Sequence, residues 1–206
     1  AVFDSSNNKV IVVYRTYNGG SPLMEYVVGT VSGSSISFGS VGTAMNSDNQ
    51  QLDSVFDSEN NRIVVVFRNG NDSSHGYAIV GSLSGTTVSW GSATEFNNNN
   101  SAELAITFDS TANKVVISYR NYGNSSYGTA VVGTVSGTSI SFGTPVVYYS
   151  NTARYQSSTF DTLNDKIVTA FRGNTSGYGE AVVGTVSGTS ISFGSSTVFS
   201  TQTSGG

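Results

Sequence analysis

Four arginines, Arg15, Arg68, Arg120 and Arg172, recur at near-equal intervals, each closing an apolar run and opening a polar stretch. Those stretches, 16–24, 69–76, 121–128 and 173–179, are dominated by Asn, Ser, Gly and Tyr, and they contain Tyr122, Tyr127 and Tyr178. A second polar group, 44–51, 96–103 and 148–155, alternates with the first along the chain. The mixture suits a hydroxyl-rich ligand such as a sugar, with Asn and Arg donating hydrogen bonds and Tyr stacking, and the arginines also suit an anion. It equally suits ordinary loops, because Asn, Ser and Gly are turn formers. A repeated Arg can also bridge loop carbonyls and clamp neighbouring units, so a ligand-facing and a structural role are both open.

Departures from the repeat single out further residues. One aligned position holds Leu23, His75, Tyr127 and Tyr178; His75 is the only histidine and replaces an aromatic in a polar stretch. By itself it completes neither a metal site nor a catalytic triad, and no metal site is predicted. Arg154 and Tyr155 align with Gln50–Gln51 and with Ala102–Glu103, and they vary where a ligand face is expected. Trp90 stands where other repeats have Phe38, Phe142 and Phe193, and reads as a packing residue of an outer strand. Pro22, Leu23 and Met24 make the first polar stretch more apolar than its relatives, as a partner contact would.

Catalysis has little to draw on. A glycosidase needs two carboxylates facing each other across the sugar bond. Asp48, Asp53 and Glu103 fall where they would approach one mouth of the fold, but no spacing singles out a pair. The Asp-box pattern S-x-D-x-G-x-T-W is absent. With no Cys, one His and no Gly-Lys-Ser loop, thiolate, triad and phosphate-loop chemistry have no support. Neither an enzyme activity nor a cofactor is predicted. The net charge of −4 and the lack of a basic run argue against nucleic-acid binding. No apolar run approaches the ~18 residues that cross a bilayer, and no secretory leader is recognisable. The chain opens on Ala1, as a processed, excised or partial chain would. Asn-x-Ser/Thr sequons at Asn71, Asn99, Asn124 and Asn174 are expected by chance in so Asn- and Ser-rich a chain.

The elements that position these residues repeat. VVGTVSG at 27–33 returns as IVGSLSG at 79–85 and again as VVGTVSG at 131–137 and 182–188. Its first glycine falls at 29, 81, 133 and 184, spacings of 52, 52 and 51. Phe-Asp at 3–4, 56–57, 108–109 and 160–161, and Ser-Phe-Gly or Ser-Trp-Gly ending at 39, 91, 143 and 194, keep the same period. In the second repeat, residues 52–57 alternate apolar and polar as a half-buried strand does, and 62–68 (RIVVVFR) suits a strand covered on both faces. Residues 77–83 and 87–90 supply two more strands. Lys9, Arg62, Lys114 and Lys166 open the second strand, each across a hairpin from the Phe-Asp aspartate, which reads as a turn cap facing a base.

A unit of ~50 residues with four antiparallel strands and no helical periodicity points to a β-propeller blade. The fold class is therefore all-β: a single domain over 1–206, a four-bladed β-propeller with four antiparallel strands per blade. Parallel β-helices use shorter coils, and an immunoglobulin-like sandwich would not repeat fourfold. From the glycine ending Ser-Phe-Gly to the next aspartate takes 18 residues, whereas the 12 after Gly194 and the first 4 together make 16. The N- and C-terminal segments are thus expected to share the inner strand of one blade and close the ring. A fragment of a longer array, or two chains completing an eight-bladed ring, are the alternatives.

The blade pattern FDSxxNKVVVxYRxxGNSxYGTAVVGTVSGTSISFG, carried most closely by 109–143 and 161–194, resembles repeats in bacterial and marine phage structural proteins. The resemblance implies a propeller on a virion or cell surface. Two functions follow as expectations: a lectin-like recognition or adhesion module for glycans or another surface polymer, or a structural spacer with protein partners or self-association. Ligand-facing candidates are Arg15, Arg68, Arg120, Arg172, Arg154, Tyr155, Tyr122, Tyr127, Tyr178 and His75.

Overall fold

The computed structural model describes residues 1–18, 21–173 and 177–202. The fold is all-β and antiparallel, and among the described residues the one helical element is a single 3₁₀ turn at Tyr122–Asn124. Among the described residues no helix is long and apolar enough to cross a membrane. The strands are β1 (Val2–Asp4), β2 (Lys9–Asn18), β3 (Ser21–Ser32), β4 (Ser35–Phe38), β5 (Gly42–Met45), β6 (Asn49–Asp57), β7 (Arg62–Asn69), β8 (His75–Ser84) and β9 (Thr87–Trp90). They continue as β10 (Thr94–Asp109), β11 (Lys114–Asn121), β12 (Tyr127–Ser136), β13 (Ser139–Phe142), β14 (Val146–Asp161), β15 (Lys166–Gly173), β16 (Gly179–Ser187), β17 (Ser190–Phe193) and β18 (Thr197–Ser200). A five-stranded sheet holds β1–β5, and a thirteen-stranded sheet holds the rest.

One register runs through all four repeats. Asp4, Asp57, Asp109 and Asp161 stand opposite Lys9, Arg62, Lys114 and Lys166. Each first repeat glycine stands between an aliphatic residue and an aromatic one: Val10–Gly29–Phe38, Ile63–Gly81–Trp90, Val115–Gly133–Phe142 and Ile167–Gly184–Phe193. A side chain at Gly81 would lie 2.6 Å from Val88 and 2.8 Å from the Trp90 ring, so glycine is required for the aromatic to lie flat there.

The polar stretches 96–103 and 148–155, expected as loops, are strand. The sixteen-residue β10 pairs first with β8 and then, from Ser101, with β11; β14 does the same between β12 and β15. Changing partner in mid-strand keeps the backbone groups hydrogen-bonded, so no loop is needed. Only between β5 and β6 is the run broken. The third strand of each repeat therefore pairs with two consecutive strands along one edge, which gives five strand segments per repeat where four were predicted. Pro22, Leu23 and Met24 lie in β3, and Met24 is fully buried core rather than a partner contact.

Three apolar clusters lie between successive repeats. Ile63, Val65 and Phe67 of β7 pack toward the first repeat, while Val64 and Val66 of the same strand pack toward the third. β7 and β11 are consequently buried on both faces, as the continuous β-branched run predicts. β15 alternates buried and half-buried residues. An aromatic pair spans each interface: Tyr26–Trp90, Phe96–Phe142 and Tyr148–Phe193, with centroids 5.7, 5.8 and 5.4 Å apart. The seam predicted between the chain ends falls partly on 203–206, which lie outside the described residues. Among the described residues no strand of 1–48 pairs with one of 153–202.

Candidate ligand-binding site

The first strand of the second, third and fourth repeats carries the same bulge. Ladder pairing breaks between Gln50 and Asp53, between Ala102 and Ala105, and between Arg154 and Ser157. The leading bulge residue is left-handed in each case: Gln51, Glu103 and Tyr155 have φ of +52°, +55° and +52°. That conformation costs a non-glycine residue roughly 1–2 kcal/mol, which hydrogen bonds between repeats offset. The Glu103 N–H donates to Gln51 Oε1 (2.7 Å), and the Tyr155 N–H donates to Glu103 Oε2 (3.0 Å). Asp53 Oδ2 accepts the Ile106 N–H at 2.9 Å on the same side.

The three bulges surround a concavity of about 340 Å³ lined by Gln51, Leu52, Glu103, Leu104, Tyr155 and Gln156. Tyr155 is 58% exposed at its edge. Of this set the sequence marks Tyr155 as a candidate and Glu103 as an acid near the mouth. The alignment of Gln51 with Glu103 and Tyr155 is also made in the sequence, at a spacing of 52, whereas Leu52, Leu104 and Gln156 are not singled out there.

Arg68, Arg120 and Arg172 each stand one residue from the end of their strand, opposite a bulged strand, whereas Arg15 lies within β2 opposite Met24; the four are not equivalent. Arg15 pairs with Asp48 at 2.5 Å and lies over the Tyr17 ring. Arg120 is buried, lies 4.4 Å over the Tyr122 ring, bonds the Tyr122 hydroxyl, and comes within 3.8 Å of Glu103 Oε1. Both guanidinium groups thus have partners within the protein. Arg68 stands opposite Gln50, and Arg172 stands opposite Arg154. Two guanidinium groups on one rung repel, and among the described residues no carboxylate lies within 4 Å of either Arg154 or Arg172.

The remaining candidates lie apart from the bulges. Tyr127 is half-buried opposite Asn121 and Thr152. Tyr178 is half-buried, its carbonyl accepting the Gly173 N–H, while sequon Asn174 lies outside the described residues. His75 is not alone: its Nδ1 lies 2.7 Å from Glu95 Oε1 and 3.6 Å from Asp72 Oδ2, two acids that the sequence reading did not connect with it. Beside them the Tyr77 hydroxyl donates to Asp72 Oδ2 (2.5 Å); that bond, with burial, pushes the Tyr77 pKa up to about 12. No protein-family model matches the chain, and no curated protein sequence does either.

Proposed function

We propose that the chain is a four-bladed β-propeller acting as a non-enzymatic recognition module of a virion or cell surface, binding a glycan or another surface polymer where the three bulges converge. The concavity itself carries this reading. Successive repeats each contribute one strained residue to it, and amide, carboxylate and phenol groups stand around aliphatic floor residues, a composition suited to hydroxyl-rich ligands. The ring is supported by the three equivalent interfaces and by the residues left without that partner at each end. Phe199 aligns with Phe96 and Tyr148, Phe38 aligns with Trp90, Phe142 and Phe193, and they are 65% and 53% exposed. Phe199 against Phe38 makes the fourth pair.

A structural spacer is the second reading, favoured by the internal pairing of Arg15 and Arg120. A glycan array probed with the folded chain separates the two. Binding is expected for the wild type, and Tyr155→Ala should weaken it by about tenfold or more, as loss of an aromatic anchor does, with melting unchanged. A folded wild type that binds nothing on the array eliminates the recognition reading.

A further inference from the structure

We propose that Asp72, His75 and Glu95 form a binding site for a divalent transition-metal ion of the zinc class. The site is separate from the bulge concavity and does not depend on what binds there. His75 opens β8, Asp72 lies in the turn just before it, and Glu95 lies on the half of β10 that pairs with β8. With His75 Nδ1 at 2.7 and 3.6 Å from the two carboxylates, all three donor atoms fall within 4.8 Å of one another. An ion bonded to nitrogen and oxygen at about 2.0–2.2 Å needs cis ligand atoms roughly 3–3.6 Å apart. The three donors therefore converge on one point with small side-chain adjustments. Imidazole with two carboxylates is a borderline donor set, suited to zinc and its neighbours rather than to calcium or magnesium, which take oxygen ligands.

Asp72 is oriented from behind. The Tyr77 hydroxyl holds Asp72 Oδ2, and the Tyr77 ring stacks on Phe67 with centroids 5.9 Å apart. Metal ligands are commonly held this way by a second hydrogen bond. Side-chain exposures of 21% for His75, 45% for Asp72 and 37% for Glu95 leave coordination positions open to water or to a further ligand.

The internal repeat supplies independent support. At the position of His75 the other repeats have Leu23, Tyr127 and Tyr178; at that of Glu95 they have Thr43, Val147 and Val198; at that of Tyr77 they have Glu25, Thr129 and Glu180. The same strands form without these side chains, so the blade does not need them. The second repeat alone brings together two carboxylates, the only imidazole and an orienting phenol.

Calorimetric titration of the chelator-treated full chain with zinc chloride tests the site, with cobalt(II) absorption as a second readout. One equivalent should bind, with a visible cobalt band. His75→Ala should abolish both signals, Glu95→Gln should weaken them, and Tyr77→Phe should weaken affinity by about 10–100-fold, as loss of an orienting partner does. Circular dichroism establishes that each variant is folded, and Glu95→Gln replaces His75→Ala as the deciding variant if the latter does not fold. No binding by the wild type overturns the proposal. So does binding that the folded deciding variant leaves unchanged.

Discussion

At the first hairpin of every repeat an aspartate accepts backbone N–H groups two and three residues ahead. Asp4 serves Ser6 and Asn7, Asp57 serves Glu59 and Asn60, Asp109 serves Thr111 and Ala112, and Asp161 serves Leu163 and Asn164. The expected cap is present and the basic residue stands opposite it, but no ion pair within 4 Å forms there among the described residues. Lys9 instead donates to Thr30 Oγ1 (2.7 Å) and Arg62 to the Gly137 carbonyl (2.8 Å). For Asp4, burial works to raise the pKa, yet the bonds from Ser6 and Asn7 outweigh it and hold the carboxyl below its ordinary 3.8. Bonds from the Asn164 side chain and from the Leu163 and Asn164 N–H groups lower that of Asp161. A carboxylate whose folded pKa is depressed adds stability that is complete above its unfolded value and lost as pH falls through the folded one. Urea midpoints should therefore hold down to mildly acidic pH and decline through 3.8 and below. The double variant Asp4→Asn, Asp161→Asn should start lower and decline less; equal slopes in the two proteins would refute the assignment.

The elements owe their spacing to contacts between repeats as much as to pairing within them. A side chain on Gly91 would be driven into the Thr138 carbonyl, and one on Gly143 into the Thr189 carbonyl. These are backbone atoms of the following repeat, which cannot swing away. Gly143→Ala should cost about 1–3 kcal/mol, as overpacking of a tight interface does, measured by chemical unfolding; a loss within error would show that the interface opens freely. In the sequence Ser-Phe-Gly is visible only as a periodic marker, and its reason belongs to the neighbouring repeat. The bulge positions align in the sequence, but their backbone geometry is illegible there for a related cause. Gln51, Glu103 and Tyr155 share no residue type, and what unites them is a left-handed backbone and a chain of hydrogen bonds running from one repeat to the next. Composition also misassigned 96–103 and 148–155, because Asn and Ser favour turns locally, whereas pairing with β8 and β11, or with β12 and β15, holds them extended.

For the whole molecule, the informative comparison is between the outer repeats and the inner ones. β2 reads KVIVVYR, as apolar as its counterparts, yet only Ile11 in that run is buried, whereas residues 63–67 of β7 are all buried. At the other end a concavity of about 250 Å³ includes Tyr155, Phe171, Arg172 and Phe199. It occupies the place that the following repeat fills at the inner interfaces. In the closed ring proposed above, Phe38 and Phe199 meet. Phe38→Ala and Phe199→Ala should then couple in a double-mutant cycle by about 0.5–1.5 kcal/mol, in a chain that light scattering shows to be monomeric. Gly194→Ala should behave like Gly143→Ala, since Ser34 aligns with Thr138 and Thr189. Additive phenylalanine effects together with a harmless Gly194→Ala would rule out the ring.

The sequence by itself determined the four repeats, the antiparallel strands and the capped hairpins with a base opposite each aspartate. All of these depend on patterns within some fifty consecutive residues, where alternation, turn residues and glycine act locally. Only the tertiary structure decided that β2, as apolar as β7, is not covered like it, that Arg15 pairs with Asp48 and Arg120 with Tyr122, that three bulges share one concavity, and that His75 has two carboxylates beside it. Each of these joins residues on separate strands or in successive repeats, and such proximity is set by how sheets stack and by where a strand changes partner.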